Sequence, residues 1–130
     1  MTRVVIDASA GVELLLATPE GRRLSQAISS GSDVFVPEVY LLEVAATLRR
    51  MELRGVVSED RAAFALRRLL TLKATRVQIK PLLTEAWSLR HNVTVPDALY
   101  VVLARRLNAS LLTADQRLAR APGLGVTILS

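Results

Sequence analysis

The sequence contains no cysteine and one histidine, and aromatic residues make up only 4% of it. Without cysteine the chain can form no disulfide scaffold and no thiolate zinc site, and it has no cysteine nucleophile. It also lacks an uncharged apolar run of about 18 residues, the length that a membrane-spanning helix needs. Asp7 and Glu13 interrupt the apolar N-terminal segment, so we expect no signal peptide. These absences predict a cytoplasmic protein with no membrane association.

Hydrophobic residues make up 51% of the 130 residues, and 22% are charged. This composition excludes intrinsic disorder and predicts one globular domain over residues 1–130. The 17 basic residues outnumber the 12 acidic ones, which gives a net charge of +5. Fifteen of the basic residues are arginine, whose planar guanidinium matches the geometry of phosphate. The charge balance therefore favours a phosphate-rich partner such as nucleic acid.

Short β-rich apolar runs alternate with longer helical segments along the chain. The runs cover residues 4–6, 34–36, 77–79, 110–112 and 126–129. Because they are short and mostly apolar on both faces, they are typical of buried parallel strands. Strands separated by helices predict an α/β fold with a central, mainly parallel sheet.

The helices carry recognisable start and stop signals. Pro37 and Pro96 are each suited to the first turn of a helix, and Gly55 is suited to a left-handed helix end. Ser58 is predicted to cap the helix that follows it. Thr113 and Gln116 have the spacing of a capping box, which predicts a last short helix near the C-terminus.

Four acidic residues are candidate site residues, because chemistry in open α/β sheets gathers just beyond the carboxyl ends of the strands and two of the four lie there. Asp7 follows the first strand, Asp115 follows the fourth, and Asp97 opens a helix. Glu43 is the only charge in the apolar stretch 39–46 and needs either water or a cation. Each acid also has a structural explanation when taken alone: Asp97 and Asp115 suit helix N-termini, and Asp7 could bond to the next helix.

Taken together, the four carboxylates repel one another and need a cation if they form one cluster. Oxygen ligands without cysteine or a suitable histidine favour a hard ion such as Mg²⁺ or Mn²⁺. The residues therefore predict a metal site, with single structural roles as the alternative.

Four short segments around these acids resemble the PIN-domain family and, within it, the VapC-type toxin ribonucleases of bacterial toxin–antitoxin pairs. They read VVIDASA at 4–10, LEVA at 42–45, VPDALY at 95–100 and LTAD at 112–115. Each match is weak alone, but the four occur in the family's order over nearly the whole chain. The resemblance implies a three-layer α/β/α sandwich with a central, mainly parallel β-sheet and metal-dependent cleavage of RNA.

The resemblance also implies roles for single residues. The family's acidic quartet, which holds Mg²⁺ or Mn²⁺ and catalyses hydrolysis, matches Asp7, Glu43, Asp97 and Asp115. Asp7 and Asp97 would be the primary metal ligands, and Glu43 and Asp115 would complete the site. Ser9 and Thr113 match positions where the family often has a hydroxyl residue near the metal; both could instead be helix caps.

The implied partners are an RNA substrate, a cognate VapB-type antitoxin and a second copy of the chain in a homodimer. An apolar groove for the antitoxin would lie along helices such as 39–54 and 58–72, although core packing explains the same residues. Arginine doublets at 22–23, 49–50, 67–68 and 105–106 could hold the RNA backbone or simply face water. Trp87 is expected in packing or in a subunit contact.

Two other functions are alternatives to the nuclease: a phosphoacceptor domain and an inactive RNA-binding module. A receiver-like phosphoacceptor domain would need an acid pair after the first strand and an aspartate after the third. Here Ala8 follows Asp7, and the third run ends in Lys80 and Pro81, so that class does not fit. A catalytically inactive PIN-like RNA-binding or scaffold module is the remaining alternative, and metal binding that resists Asp97→Asn would favour it.

Overall fold

The computed structural model describes residues 2–130, which form five β-strands and seven α-helices. The strands are β1 (Arg3–Ile6), β2 (Asp33–Pro37), β3 (Thr75–Val77), β4 (Ser110–Leu112) and β5 (Ile128–Leu129). The helices are α1 (Ala8–Leu16), α2 (Pro19–Gln26), α3 (Val39–Leu53), α4 (Glu59–Leu70), α5 (Leu83–Ser88), α6 (Val95–Leu107) and α7 (Gln116–Arg120). A short 3₁₀ helix, Lys80–Leu82, leads directly into α5.

The strands form one parallel sheet in the order β3-β2-β1-β4-β5. The chain builds outward from β1 to β3 and then returns to place β4 on the other side of β1. Ile6 pairs with Leu112, so the carboxyl ends of β1 and β4 lie side by side. Ligand sites in open α/β sheets form at such a reversal of strand order.

Six of the seven helices fall into two groups. Helix α1 packs against α2, α3 and α4, whereas α5 packs on α6, which lies against β1, β2 and β4. Residues Ala98–Ala104 of α6 are all buried, which explains why this helix is apolar on every side. The predicted three-layer α/β/α sandwich with a central parallel sheet is confirmed.

Three of the predicted helix signals are confirmed. Gly55 adopts a φ of +73° just after α3. Ser58 accepts a hydrogen bond from the Arg61 N–H at 3.2 Å and caps α4. Pro96 lies in the first turn of α6. Local rules therefore place these helix ends correctly because they depend on neighbouring residues alone.

Two predicted helix starts are wrong. Pro37 ends β2 instead of opening α3, because the Glu38 N–H donates to the Val77 carbonyl at 2.8 Å and extends the pairing with β3 past the proline. Thr113 does not cap α7; Asp115 does, accepting from the Arg117 N–H at 2.9 Å. The Thr113 hydroxyl instead donates to a carboxylate after β1.

Two predicted strands differ in extent. The third lies at Thr75–Val77 and ends two residues earlier than expected, because the chain turns into the 3₁₀ helix at Lys80. The last is reduced to Ile128–Leu129 beside β4. Within residues 2–130, no helix has the length and apolar character to span a bilayer.

Candidate active site

Asp7 lies at the junction between β1 and α1, and its carboxylate is only 3% exposed. Its Oδ1 accepts from the Ala10 N–H at 2.9 Å and from the Ser9 hydroxyl at 2.7 Å. The Thr113 hydroxyl donates to its Oδ2. Among residues 2–130, Asp7 and Thr113 are the only buried polar or charged residues. A carboxylate this deep is tolerated because both of its oxygens accept hydrogen bonds.

Ser9 and Thr113 also connect the ends of β1 and β4. Ser9 Oγ accepts from the Ala114 N–H at 3.0 Å, and Thr113 Oγ1 accepts from the Asp115 N–H at 3.0 Å. Ser9 lies inside α1, whose cap is Asp7, so the helix-cap explanation fails for both hydroxyl residues. Both side chains instead fix the Asp7 carboxylate, and Thr113 also fixes the backbone of Asp115.

Glu43 projects from α3 and is half-buried. The buried Tyr100 of α6 donates its hydroxyl to Glu43 Oε1 at 2.5 Å. One turn further along α3, Thr47 donates to the Glu43 carbonyl at 2.9 Å, and Arg50 donates to the Thr47 hydroxyl at 3.0 Å. The Glu43 carboxylate is therefore held by Tyr100 of α6, and Arg50 lies two turns further along α3.

Asp97 lies in the first turn of α6 and is half-buried. Its N–H donates to the Thr94 hydroxyl at 3.2 Å, which caps the helix. Asp115 is also half-buried and caps α7. The structural roles considered for these acids at helix N-termini are therefore real, but they leave carboxylate oxygens facing a common cleft.

All four predicted acids line one cleft with a volume of about 350 Å³ at the carboxyl ends of β1 and β4. We call it the acidic cleft. Its lining consists of Asp7, Ala8, Ser9, Glu43, Ala46, Thr47, Arg50, Asp97, Tyr100 and Asp115. Thr113 is fully buried beneath it. Four chain segments far apart in sequence thus bring their carboxylates to the same place.

The carboxyl groups of three acids have raised pKa values. Burial is the main reason for the raised pKa of Asp7, of Glu43 and of Asp97. Repulsion adds to it, since Asp97 acts on Asp7, Asp7 and Asp97 act on Glu43, and Asp115 acts on Asp97. Hydrogen bonds oppose the rise at all three sites, and Arg117 also opposes it at Asp97. The cleft thus carries more negative than positive charge, with four carboxylates and only Arg50 among its lining residues to offset them.

The donor chemistry of the acidic cleft fits a hard divalent cation, because every available ligand is a carboxylate or hydroxyl oxygen. Within residues 2–130, however, no three Asp, Glu or His side chains are close enough to hold one ion together. Direct binding by two carboxylates with water as the remaining ligands fits the arrangement, as is usual for Mg²⁺.

Of the arginine doublets predicted to hold RNA, the structure places Arg50 in the acidic cleft. Arg68 donates to a carbonyl at the C-terminal end of α1, and Arg105 donates to a carbonyl in the loop before β5. Arg23 forms an ion pair within α2. For these three arginines, a structural role accounts for the side chain.

Sequence reasoning missed Tyr100 and the position of Arg50. Tyr100 follows Asp97 by three residues, and Arg50 follows Glu43 by seven. Both spacings place the residues on one face of a helix, so helical periodicity applied to each acid could have found them.

Comparisons with known proteins agree with this architecture. The family model for the PIN domain matches residues 4–124. Ribonuclease VapC1 of Mycobacterium tuberculosis is 42% identical over 125 residues, covering 95% of this chain and 94% of the relative. Ribonuclease VapC12 of the same species is 36% identical over 120 residues, covering 92% of each.

Solved structures show the same fold. VapC20 of Mycobacterium tuberculosis, a sarcin-ricin loop cleaving toxin, superposes with a TM-score of 0.66 at 19% identity, covering 89% of this chain and 92% of that one. VapBC2 of Rickettsia felis, bound to a DNA fragment from its promoter, gives a TM-score of 0.68 at 12% identity, covering 98% of both chains.

Proposed function

Because the chain belongs to the PIN-domain family, we propose that it is a metal-dependent endoribonuclease and the toxin of a toxin–antitoxin pair. The proposal is carried by the convergence of Asp7, Glu43, Asp97 and Asp115 on one cleft at the reversal of strand order. The names of VapC1 and VapC12, both ribonucleases, support the reaction. We place the activity in the cytoplasm, where the RNA is.

The first role of the chain is to hold Mg²⁺ or Mn²⁺ against an anionic substrate. Asp7 and Asp97 are the proposed primary ligands, and Glu43 and Asp115 complete the site. When bound, the metal neutralises charge on the phosphodiester and lowers the pKa of a water molecule. Ser9 and Thr113 keep the Asp7 carboxylate in one orientation through their hydrogen bonds to its two oxygens.

The second role is to orient the attacking water. Tyr100 engages Oε1 of Glu43, which fixes the carboxylate and leaves Oε2 to accept a hydrogen bond from water. Hydrolysis then proceeds by direct attack of water on phosphorus, with departure of the RNA oxygen opposite it. No residue of the chain forms a covalent intermediate in this scheme, so a covalent protein–RNA adduct on the pathway would contradict it.

The test is cleavage of a structured RNA pool by highly purified protein, with Mg²⁺, Mn²⁺ and EDTA in parallel. Asp97→Asn removes one proposed ligand. Asp60→Asn, at an exposed position in the first turn of α4, removes one carboxylate away from the cleft and is the matched control. We expect metal-dependent cleavage by the wild type and by Asp60→Asn, and loss of cleavage in Asp97→Asn.

The alternative outcomes separate the two candidate functions. Cleavage that survives Asp97→Asn would contradict the assigned site or reveal a contaminating nuclease. RNA binding without cleavage by any preparation, together with metal binding unaffected by Asp97→Asn, would instead identify an inactive RNA-binding module.

We also propose a VapB-type antitoxin as the partner that silences the site, in line with the VapBC2 assembly of Rickettsia felis. A groove of about 330 Å³ between α3 and α4 has an apolar floor that includes Ala45, Leu48, Ala62 and Leu66. This is the pair of helices on which the sequence predicted an antitoxin groove. Homodimerisation is a separate proposal, and sedimentation equilibrium tests it: a monomer at high micromolar concentration would contradict it.

A further inference from the structure

A second cleft adjoins the acidic cleft and shares Asp97 and Asp115 with it. Its volume is about 360 Å³. We call it the basic-walled cleft, because its lining adds arginine and histidine to the two shared acids. The lining residues are Arg90, His91, Asn92, Val93, Thr94, Asp97, Asp115, Arg117 and Leu118. The two clefts lie next to each other, with Asp97 and Asp115 lining both.

Arg117 supplies positive charge next to the shared acids. Its side chain is 93% exposed, and its Nε lies 3.7 Å from Asp115 Oδ1, too far for a strong hydrogen bond. A guanidinium this exposed retains donors for a second anion. Arg117 therefore can bind phosphate without giving up an interaction that holds the fold together.

Arg90 supplies the second positive charge, and its side chain stacks on the ring of Trp87. Its guanidinium carbon lies 4.9 Å from the centre of the Trp87 ring, and its Nη1 donates to the Trp87 carbonyl at 3.0 Å. Trp87 is 59% exposed, so of its two expected roles core packing is wrong, and a subunit contact stays a prediction. An exposed indole with a stacked guanidinium is a surface on which a nucleobase can stack.

Phosphate binding in the basic-walled cleft would offset the repulsion between the carboxylates of the acidic cleft and the RNA backbone. A polyanionic chain is repelled by carboxylates everywhere except where a cation neutralises them. Arg90 and Arg117 attract the flanking phosphate as soon as the chain leaves that position. Because the arginines share the cleft with Asp97 and Asp115, RNA held there is directed across the acids.

We propose that the basic-walled cleft is an RNA subsite next to the scissile phosphodiester, in which Arg90 and Arg117 bind a backbone phosphate, while Trp87, beside the cleft and in contact with Arg90, stacks on a base. This inference rests on the proposed ribonuclease function and specifies which residues bind the RNA beside the same site. Arg90, Arg117 and Trp87 are therefore substrate-positioning residues.

Trp87 is the only tryptophan of the chain and lies against Arg90 at the edge of this cleft, so its fluorescence reports on RNA bound next to Arg90. The experiment titrates a single-stranded oligoribonucleotide of mixed sequence into the protein in Mg²⁺, following tryptophan emission and, with a fluorescein label, anisotropy. A Glu43→Gln background blocks cleavage without touching the basic-walled cleft. Electrophoresis confirms that the RNA remains intact.

The test variants are Arg90→Gln and Arg117→Gln, singly and combined. Arg67→Gln is the matched control for Arg90, because Arg67 also lies over an aromatic ring, that of Phe64 at 5.7 Å, but outside both clefts. Arg120→Gln is the control for Arg117, because it removes an exposed arginine from the same helix outside both clefts.

We expect RNA to change the Trp87 emission and the double variant to bind about tenfold more weakly, with the two controls unchanged. The slope of log affinity against log salt should fall in magnitude by about 0.7 for each arginine removed. In the wild-type background, Arg90→Gln, which removes no charge paired with the acids, should raise KM for RNA and leave kcat nearly unchanged.

Equal affinity and an equal salt slope in the double variant and the controls would overturn the subsite, and so would an unchanged Trp87 emission in saturating RNA. These two outcomes differ from the outcome expected if the protein is not a ribonuclease. If the arginines and Trp87 respond to RNA but purified wild-type protein never cleaves it, the subsite stands and the nuclease does not.

Discussion

The hydroxyl of Tyr100 donates to Oε1 of Glu43 at 2.5 Å and joins the middle of α6 to α3. The bond holds the carboxylate in one rotamer at the edge of the acidic cleft. It also places a buried neutral donor, instead of a charge, beside an acid whose pKa is already raised by burial. The orientation of Glu43 is therefore set by a helix that carries another acid of the same cleft.

We expect Tyr100→Phe to lower kcat for RNA about tenfold and leave KM nearly unchanged, because Glu43 keeps its charge but loses its fixed orientation. The free energy of unfolding should fall by about 1 kcal/mol with loss of the hydrogen bond. Tyr40→Phe is the control, since Tyr40 is an equally buried tyrosine on α3. Equal kcat values in both variants would exclude a positioning role.

Thr113→Val tests the support of Asp7. Valine keeps the shape of the buried side chain but removes the hydroxyl that donates to Asp7 and accepts from the Asp115 N–H. We expect Mg²⁺ to bind at least tenfold more weakly, measured by calorimetry, because the ligand loses one of its orienting hydrogen bonds. Thr71→Val, at an exposed position after α4, is the control. Unchanged Mg²⁺ affinity would show that the hydroxyl does not orient the ligand.

The stability of the metal-free protein should fall as pH rises. The carboxyls of Asp7, Glu43 and Asp97 have folded-state pKa values above the ordinary 3.8 for aspartate and 4.5 for glutamate. The folded state therefore binds more protons than the unfolded state, and ionisation costs stability. The loss begins above the ordinary values and is complete once pH exceeds the raised ones. Thermal unfolding in EDTA across this range measures it.

Two variants check the origin of that pH dependence. Asp97→Asn should flatten the curve, because it removes one titrating group and one source of repulsion. Asp60→Asn should leave it unchanged. Mg²⁺ should raise the unfolding temperature of the wild type at neutral pH and have a smaller effect on Asp97→Asn. A curve that keeps its shape in Asp97→Asn would show that the cleft does not cause it.

Arg50→Gln should raise KM for RNA several-fold, because Arg50 is an arginine that lines the acidic cleft. Arg49→Gln is a close control: it is the adjacent residue, but it lines the α3–α4 groove instead. Steady-state cleavage of one labelled RNA by both variants gives the comparison. Equal KM values would mean that net charge, and not the position of Arg50, attracts RNA.

Helices α1 and α2 approach each other closely at Gly21. A Cβ on Gly21 of α2 would lie 2.0 Å from the Glu13 carbonyl oxygen of α1, whereas one on Gly11 would meet the Tyr40 side chain. Both Gly21→Ala and Gly11→Ala should destabilise the fold by about 1–3 kcal/mol, with Gly21→Ala the worse because backbone yields less than a side chain. Urea unfolding ranks them, with the exposed Ser25→Ala as control.

The sequence predicted those parts of the molecule that depend on neighbouring residues. Apolar runs located the strands, and three acids were placed correctly at strand ends or a helix start. Thr113 was assigned to a capping box because the rule considers only the next three residues. Its actual partner is Asp7, 106 positions away, and no local rule includes such a contact. Pro37 failed for the same reason, since the pairing of β2 with β3 continues past it.

The bond between Asp7 and Thr113 also has a consequence for the synthesis of the protein. In the order of translation, Asp7 precedes Thr113 by 106 positions. Until β4 docks beside β1, the Asp7 carboxylate has its local donors Ser9 and Ala10 but lacks Thr113, and the cleft lacks the segment that carries Asp115. The acidic cleft is therefore complete only after β4 has been translated and has paired with β1.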